Sequence, residues 1–169
     1  MPLSCSKHTN EHEINPPGSA GHDLAIHLRC AYLAMHRATN ACFAAYGISA
    51  DSFTLLMALK DHGPLTQKNL VHKIGSDANT VSAMLKRLEK LQFIQRNQDE
   101  LDARIRVAKL TAEGQQLLAM LWEESQVLRI KMENLFQPRE MEELVLSLKH
   151  ITQVMNTKMD EGRDKNEIL

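Results

Sequence analysis

The stretch GSDANTVSAMLKRLEKLQ, residues 75–92, decides the fold. Its apolar residues recur every three or four positions, which is the spacing of an α-helix that buries one face. They are Val81, Met84, Leu85, Leu88 and Leu91. Gly75 suits the end of a preceding helix, and Ser76 or Asp77 suits the N-cap of this one. The pattern therefore predicts an amphipathic helix that begins just after a tight glycine turn.

The opposite face of this helix changes from short polar side chains to basic ones along its length. Its residues are Asn79, Thr80, Ser82, Ala83, Lys86, Arg87 and Lys90. Short side chains can approach base edges, and the later cations can reach phosphates, so the face suits a helix that enters a DNA major groove by its N-terminus. The alternative is an ordinary surface helix with a solvated basic face.

The residues before this helix predict a helix-turn-helix unit. Ser49 or Asp51 is expected to cap a helix that stops at the Gly-Pro pair of residues 63–64. Thr66 then caps a short helix over residues 67–74, and a glycine turn leads into the next helix. Since two helices cannot bury their apolar faces alone, the helix before residue 63 must pack behind them.

The residues after the helix predict a β-hairpin. FIQRNQ and RIRVAKL read as strands, with Ile105 and Val107 inward and Arg104 and Arg106 outward, and the polar tip DELDA joins them. A helix-turn-helix followed by such a hairpin is a winged helix. Arg104 would lie near a minor groove, where negative potential is concentrated. Asp102 would pair with Arg104 and hold the turn.

Apolar stripes with steps of three and four residues occupy both ends of the chain. The first consists of Leu24, Leu28, Ala31, Met35, Ala38, Cys42 and Ala45, and the second of Met141, Leu144, Leu148, Ile151 and Met155. Leucines from Leu117 to Leu135 predict one long helix between the wing and Pro138. Stripes of this kind need partner helices, and a two-fold dimer would supply them.

The predicted organisation is mainly α-helical, a winged helix-turn-helix with long terminal helices that form a dimerisation region. Its parts are a flexible tail over 1–21, a domain over 22–158 with dimerisation helices at 22–46 and 115–158 around a winged helix-turn-helix at 50–110, and a charged tail over 159–169.

Composition and charge narrow the class of protein. Residues 65–110 contain nine Lys and Arg and five Asp and Glu. This segment therefore has a net charge of +4 in a chain whose total is −1. Three cysteines without metal-ligand spacing suit a reducing cytoplasm, and no apolar run resembles a membrane span or signal peptide. We find no paired catalytic carboxylates, nucleophile elbow, phosphate loop or zinc quartet, so no enzyme, cofactor or metal site is predicted.

The string DANTVSAMLKRLEKLQFIQR, with D-A-R at 102–104 and L-T-A-E-G at 110–114, resembles the MarR family of bacterial transcriptional regulators. The resemblance covers roughly residues 22–158 and implies a dimeric winged-helix regulator, most often a ligand-responsive repressor. It implies major-groove and phosphate contacts for Thr80, Ser82 and Lys86, a minor-groove contact for Arg104, and a bracing role for Asp102. With the exposed helix face included, the candidate DNA-binding residues are Asn79, Thr80, Ser82, Ala83, Lys86, Arg87, Asp102, Arg104 and Arg106.

The chain departs from the family at Gln92, where relatives usually have glycine. Gln in a left-handed conformation costs about 1 kcal/mol, so the recognition helix is expected to end differently here.

Family members commonly sense a small aromatic or phenolic effector in a crevice formed by the first two helices and the helix after the wing. The candidate ligand-binding residues are His27, Cys30, His36 and Phe53. Cys30 does not match the position of the family's peroxide-sensing cysteine.

The sequence thus predicts a cytoplasmic, nucleoid-associated homodimer that binds double-stranded DNA at pseudo-palindromic operators and represses transcription. The alternative is a winged-helix module for protein–protein interaction, which would need an apolar recognition face.

Overall fold

The computed structural model describes residues 20–98 and 104–163, with side chains as far as residue 156. The helices are α1 (Ala20–Phe43), a 3-10 turn (Ala44–Tyr46), α2 (Ala50–His62), α3 (Gln67–Ile74), α4 (Ala78–Lys90), α5 (Ala112–Glu124), α6 (Gln126–Glu133) and α7 (Pro138–Arg163), and the strands are β1 (Leu65–Thr66), β2 (Ile94–Gln98) and β3 (Arg106–Leu110). Most of the tail predicted over 1–21, and residues 164–169 of the second tail, lie outside the described residues. The chain divides into two compact units after Ala38.

The first unit contributes α1 as far as Ala38, a helix with little buried surface of its own. Large apolar side chains are exposed along it, among them Leu24, Tyr32 and Met35. A helix with this much exposed apolar surface needs a further packing partner, as its 3–4 spacing predicts.

The second unit contains a winged helix built around helix caps. The side chains of Ser49, Thr66 and Thr111 each accept a hydrogen bond from the backbone N–H three residues later, at 3.0–3.1 Å. These caps start α2 and α3 where the sequence predicts them, and Thr111 starts α5 in the same way, because a short hydroxyl satisfies an N–H that the first helical turn leaves without a partner. The prediction of a winged helix-turn-helix in a mainly α-helical fold is confirmed.

The sheet has three strands in the order β1-β3-β2, one more than the predicted hairpin. In β3 the buried residue is Ala108, which pairs with Leu65 of β1 and Arg96 of β2. The prediction that Ile105 points inward is wrong, since it is 41% exposed. Side chains alternate along a strand, so the position of Ala108 places the core on the face opposite to the predicted one.

One hydrophobic core joins α2, α3, α4, the sheet and α5. Its fully buried members are Phe43, Leu55, Leu56, Leu70, Val81, Leu85, Leu88, Ile94, Leu118 and Leu121. Four elements of the winged helix thus pack behind α4, which fixes its orientation and leaves its opposite face to solvent.

The long helix predicted between the wing and Pro138 is in fact two helices, α5 and α6, that meet at Ser125. The carbonyl of Trp122 accepts hydrogen bonds from the hydroxyl of Ser125 and the guanidinium of Arg129. The same guanidinium donates to the Ser125 hydroxyl at 2.7 Å and lies 3.7 Å from the centre of the Trp122 ring. In a continuous helix the carbonyl of Trp122 would accept from a backbone N–H of the next turn. Here the side chains of Ser125 and Arg129 compete for that carbonyl, which explains the break.

The last helix, α7, has apolar side chains that the described residues leave exposed. Met141 and Ile151 are half-buried, whereas Leu144, Leu148 and Met155 of the same stripe are exposed. None of the described helices alone is long and apolar enough to cross a membrane; α1 with its 3-10 turn and α2 pass such a test only as a bent pair. Because Leu55, Leu56 and Leu59 belong to the core, the apolar character of α2 is explained by packing.

Candidate nucleic-acid interface

The candidate interface begins at Asp77, which caps α4. Its carboxylate accepts hydrogen bonds from the backbone N–H groups of Asn79 and Thr80, each at 2.9 Å. The Thr80 hydroxyl also donates to it at 2.6 Å. This hydroxyl, followed by the Thr80 N–H, holds the pKa of Asp77 below its ordinary value. Since the Thr80 hydroxyl already donates, its lone pairs remain available to accept from an amino group on a base edge.

The predicted outward face of α4 is present. Asn79, Thr80, Ala83, Lys86 and Arg87 are exposed, and Ser82 is half-buried. On the opposite side, the predicted apolar residues are buried as far as Leu88. Leu91, predicted to be buried, is 43% exposed, because the helix ends at Lys90 and its stripe no longer faces the core there.

Arg87 differs from Lys86 in having a defined partner inside the protein. Its Nη2 donates to the carbonyl oxygen of Gly47 at 2.7 Å. The neighbouring Tyr46 donates from its hydroxyl to Glu124 at 2.9 Å, and this bond raises the pKa of Tyr46. The turn that contains Tyr46 and Gly47 is therefore bonded to α4 on one side and to α5 on the other. This geometry gives Arg87 a role in positioning α4, which the sequence did not indicate.

The residue that follows the end of α4 is in the left-handed conformation. Gln92 has φ 62°, and the N–H of Phe93 donates back to the carbonyl of Leu88 at 3.0 Å. The expectation that Gln92 makes this helix end differently is wrong. The Gln92 carbonyl accepts from the Thr111 hydroxyl at 2.7 Å, and the Phe93 carbonyl accepts from the Thr111 N–H at 3.1 Å. These bonds to Thr111 hold the unfavourable conformation in place.

Replacing Gln92 by glycine should therefore stabilise the protein. We expect Gln92→Gly to raise the free energy of unfolding by about 1 kcal/mol, because glycine adopts positive φ without a Cβ penalty. Urea denaturation followed by circular dichroism measures this. The matched control is Gln95→Gly at an exposed position of strand β2, which should lower stability by about 0.5–1 kcal/mol. Equal effects at both positions would show that the strain at Gln92 is negligible.

The wing is only partly described. Arg104 and Arg106 are exposed, and Arg106 opens β3 opposite Gln98. Asp102, the predicted brace of the wing, lies outside the described residues. Arg106 shares a strand face with buried Ala108, yet it extends beyond the core and keeps its charge in solvent. The roles of these residues on DNA stay predictions.

The four predicted ligand-binding residues have unlike surroundings. In the first unit, Cys30 is exposed, His27 Nδ1 lies 2.7 Å from the carbonyl of Asp23, and the His36 ring is 5.5 Å from that of Tyr32. In the second unit, the Phe53 ring packs 4.9 Å from that of Phe43. Phe53 thus has a packing role whether or not it also meets a ligand. Within the part of the chain that the structure describes, no three His, Cys, Asp or Glu side chains form a group suited to a metal ion.

Comparison with known proteins bears on this geometry. Residues 48–105, which run from the start of α2 to the wing, match the model of the MarR family. These 58 residues are therefore similar to the MarR family. The chain is 35% identical over 66 residues to the HTH-type transcriptional regulator MgrA of Staphylococcus aureus, a match that covers 39% of this chain and 45% of MgrA. The chain therefore spans about half the length of the curated relatives it matches. The predicted resemblance to the MarR family is confirmed.

Solved structures extend the likeness of the fold to most of the chain. A transcriptional repressor, CouR, bound to a 23-mer DNA duplex has a TM-score of 0.70 at 21% identity, covering 80% of this chain and 96% of CouR. BpsR of Bordetella bronchiseptica, whose DNA binding is regulated by 6-hydroxynicotinic acid, has a TM-score of 0.68 at 22% identity, covering 79% of this chain and 92% of BpsR. At this identity the likeness establishes the fold. MgrA is named as a transcriptional regulator and CouR as a transcriptional repressor.

Proposed function

We propose that this chain is a MarR-family, sequence-specific DNA-binding transcriptional regulator. The observation that carries the proposal is the outward face of α4, which is polar at its N-terminal end and cationic later, and which the core holds away from the rest of the winged helix. Such a helix can place Asn79, Thr80 and Ser82 against base edges while Lys86 meets a phosphate. Arg104 and Arg106 of the wing would add contacts to the backbone or the minor groove.

We further propose that the regulator acts as a homodimer. The exposed stripe of α7 and the exposed apolar side chains of α1 are each suited to cover an equivalent surface on a second copy. Two winged helices related by a two-fold axis would read a pseudo-palindrome with half-sites about one helical turn apart. One winged helix alone makes few base contacts, so the second copy supplies both affinity and specificity.

The proposed outcome of binding is repression that a small aromatic or phenolic effector relieves in the cytoplasm. The fold is shared with a repressor bound to DNA and with BpsR, which responds to 6-hydroxynicotinic acid. An effector that prefers the free form of the regulator would shift the population away from the DNA-bound form. Equal affinity of the effector for both forms would rule out this mechanism.

Selection from a random duplex pool tests the proposal. Purified protein is mixed with the pool, bound duplexes are enriched and sequenced, and binding is measured again across salt concentrations. Enrichment of a pseudo-palindrome and a steep salt dependence are expected. Weak binding without enrichment would overturn the proposal and favour a protein–protein interaction module, with the exposed face of α7 as the surface to investigate.

Lys86 and Arg87 should affect DNA binding in different ways, although they are adjacent. Lys86→Ala should weaken binding and reduce the slope of log K against log salt by about one, the expected loss for one phosphate contact. Arg87→Ala should weaken binding with a smaller change in slope, since its guanidinium is bonded to Gly47. Fluorescence anisotropy on the selected duplex from low to high salt measures both.

The control is Lys149→Ala on α7, which should leave affinity and slope unchanged. If Arg87→Ala flattens the salt dependence as much as Lys86→Ala does, Arg87 contacts phosphate in the complex and gives up its bond to Gly47.

A further inference from the structure

Asp77 and Thr80 form a hydrogen-bonded pair in the first turn of α4. The Oδ1 atom of Asp77 accepts from the backbone N–H groups of Asn79 and Thr80, each at 2.9 Å, and its Oδ2 atom accepts from the Thr80 hydroxyl at 2.6 Å. One oxygen of the carboxylate therefore caps the helix, and the other orients a side chain. All three residues are exposed.

This arrangement requires a carboxylate. A hydroxyl would also cap α4, as hydroxyls do at α2, α3 and α5, but it has a single oxygen and would leave the Thr80 hydroxyl to rotate among other partners. Asp77 is also the only Asp or Glu in residues 67–88, which span α3 and most of α4. A carboxylate near DNA is repelled by phosphates, so the negative charge has a cost that a neutral cap would avoid. The second oxygen gives Asp77 a role that a neutral cap lacks.

The direction of the hydroxyl hydrogen decides what Thr80 can recognise. A hydroxyl has one hydrogen and two lone pairs. With its hydrogen on Oδ2 of Asp77, the Thr80 hydroxyl presents only lone pairs to a neighbouring molecule. In the major groove the amino groups of adenine and cytosine donate, whereas O6 of guanine and O4 of thymine accept. Adenine and guanine carry these opposite groups at the same position of the purine ring, so an acceptor distinguishes them.

The neighbouring helix and the core fix the position of this turn. The Gln67 side chain, at the start of α3, donates from Nε2 to the carbonyl of Ala78 at 3.1 Å. The carbonyl of Asp77 accepts from the N–H of Val81 at 3.0 Å, and the Val81 side chain is fully buried. The Thr80 hydroxyl therefore has a fixed position as well as a fixed direction, as the readout of one base requires.

We propose that Asp77 is a positioning residue that makes Thr80 a hydrogen-bond acceptor only, so that Thr80 selects the amino group of adenine or cytosine at one base pair of the operator. The keto group that guanine or thymine presents at the same place would meet lone pairs instead of a hydrogen. This inference rests on the proposed function and names the base chemistry that one residue of the DNA-binding face reads.

Carbon-13 NMR titration of the Asp77 carboxyl group tests the hydrogen bond without DNA. The Thr80 hydroxyl, followed by the Thr80 N–H, holds the pKa of Asp77 below its ordinary value. Thr80→Val keeps the shape and removes the hydroxyl, so it should raise this pKa towards the ordinary value, whereas Thr80→Ser should leave it low. The resonance is assigned by its loss in Asp77→Asn. An unchanged pKa in Thr80→Val would overturn the fixed direction of the hydroxyl and the inference with it.

Asp77→Asn should reverse the base preference and keep the cap. Asparagine caps helices as well as aspartate does, so its oxygen can accept from the two N–H groups. Its amide nitrogen then takes the place of Oδ2 and donates to the Thr80 hydroxyl, which leaves the hydroxyl hydrogen to a keto group on a base. We therefore expect the selected operator to change at one base pair, from adenine to guanine or from cytosine to thymine on the strand that Thr80 contacts, with the rest of the motif unchanged.

Selection from the random duplex pool, repeated with each variant, measures this change, and fluorescence anisotropy on the selected duplexes gives its size. The base pair that Thr80 reads is the one at which Thr80→Val loses discrimination, by about three- to tenfold in relative affinity. The wild type and Asp77→Asn should prefer opposite base pairs there by a similar factor. Glu89→Gln removes one carboxylate from an exposed position of the same helix, and as the control for charge it should leave every base preference unchanged.

The outcomes separate this inference from the proposed function. A motif that is enriched but identical in the wild type and Asp77→Asn would overturn the role of Asp77 and leave the DNA-binding function standing. Loss of the preference in Asp77→Asn without its reversal would overturn the acceptor role of Thr80 in the same way. Failure of the wild type to enrich any duplex would overturn the proposed function, and the base preference with it, whatever the NMR titration gives.

Discussion

Gly114→Ala should lower the free energy of unfolding by more than about 3 kcal/mol, a large effect for a single methyl group. A Cβ at this position would lie 1.9 Å from the carbonyl oxygen and 2.9 Å from the carbonyl carbon of Phe93, and 3.3 Å from Leu110 Cδ2. The first two atoms are backbone atoms, which cannot rotate away as a side chain can. The same carbonyl of Phe93 accepts from the N–H of Thr111, so relief of the clash would separate β2 from α5 and break that bond.

Urea denaturation followed by circular dichroism measures this effect, and loss of folded protein counts as the same result. The matched control is Gly21→Ala in α1, where no atom lies within 4 Å of the added Cβ. That substitution should be neutral or stabilising by up to about 1 kcal/mol, because alanine favours the helix. Stability of Gly114→Ala within about 1 kcal/mol of the wild type would show that β2 and α5 separate at little cost. The clash also gives a physical reason for the glycine that ends L-T-A-E-G at residues 110–114.

Leu148→Asp should convert the proposed homodimer into monomers. Leu148 is 36% exposed on the α7 stripe, and in a two-fold interface the substitution would bury two unpaired carboxylates at once. We expect the dimer dissociation constant to rise by at least about 100-fold. Analytical ultracentrifugation over a concentration series measures it, and affinity for a two-half-site duplex should fall with it.

The matched control is Leu146→Asp, the same substitution on the opposite side of α7. Leu146 is 64% exposed and lies outside the stripe of Met141, Leu144, Leu148, Ile151 and Met155. It should leave both the dimer and DNA binding unchanged. A stable dimer in Leu148→Asp would place the interface elsewhere, and dissociation by both substitutions would place it around the whole helix.

Local chemistry made much of the winged helix predictable from sequence. Thr66 and Thr111 start their helices because a hydroxyl satisfies a nearby N–H, and Gly75 ends α3 with φ 63°. The exposed face of α4 follows from helical periodicity alone, since its apolar residues must face a core. Each of these features depends on residues within about one helical turn.

The features that sequence missed depend on distant residues or on close energetic competition. Arg87 binds the carbonyl of Gly47, 40 positions away, and no local pattern signals that pairing. The inward face of β3 is set by its register with β1 and β2, which sequence does not show, so the predicted alternation put Ile105 inward where the structure buries Ala108. At Gln92, bonds to Thr111 outweigh a conformational cost that sequence reasoning treated as decisive. Residues 99–103 of the wing lie outside the described residues, so the DNA contacts of the wing tip remain predictions. The predicted ligand contacts also remain predictions.

The break at Ser125 has a mechanical consequence. Two short helices that meet at one residue can change their mutual angle with the loss of few hydrogen bonds, so α5 and α6 are easier to bend than one continuous helix of equal length. In a dimer of the proposed kind, this compliance lies on the path from each winged helix to α7. We therefore expect the dimer to tolerate variation in the length of the spacer between half-sites. A single protein could then bind operators whose spacers differ in length.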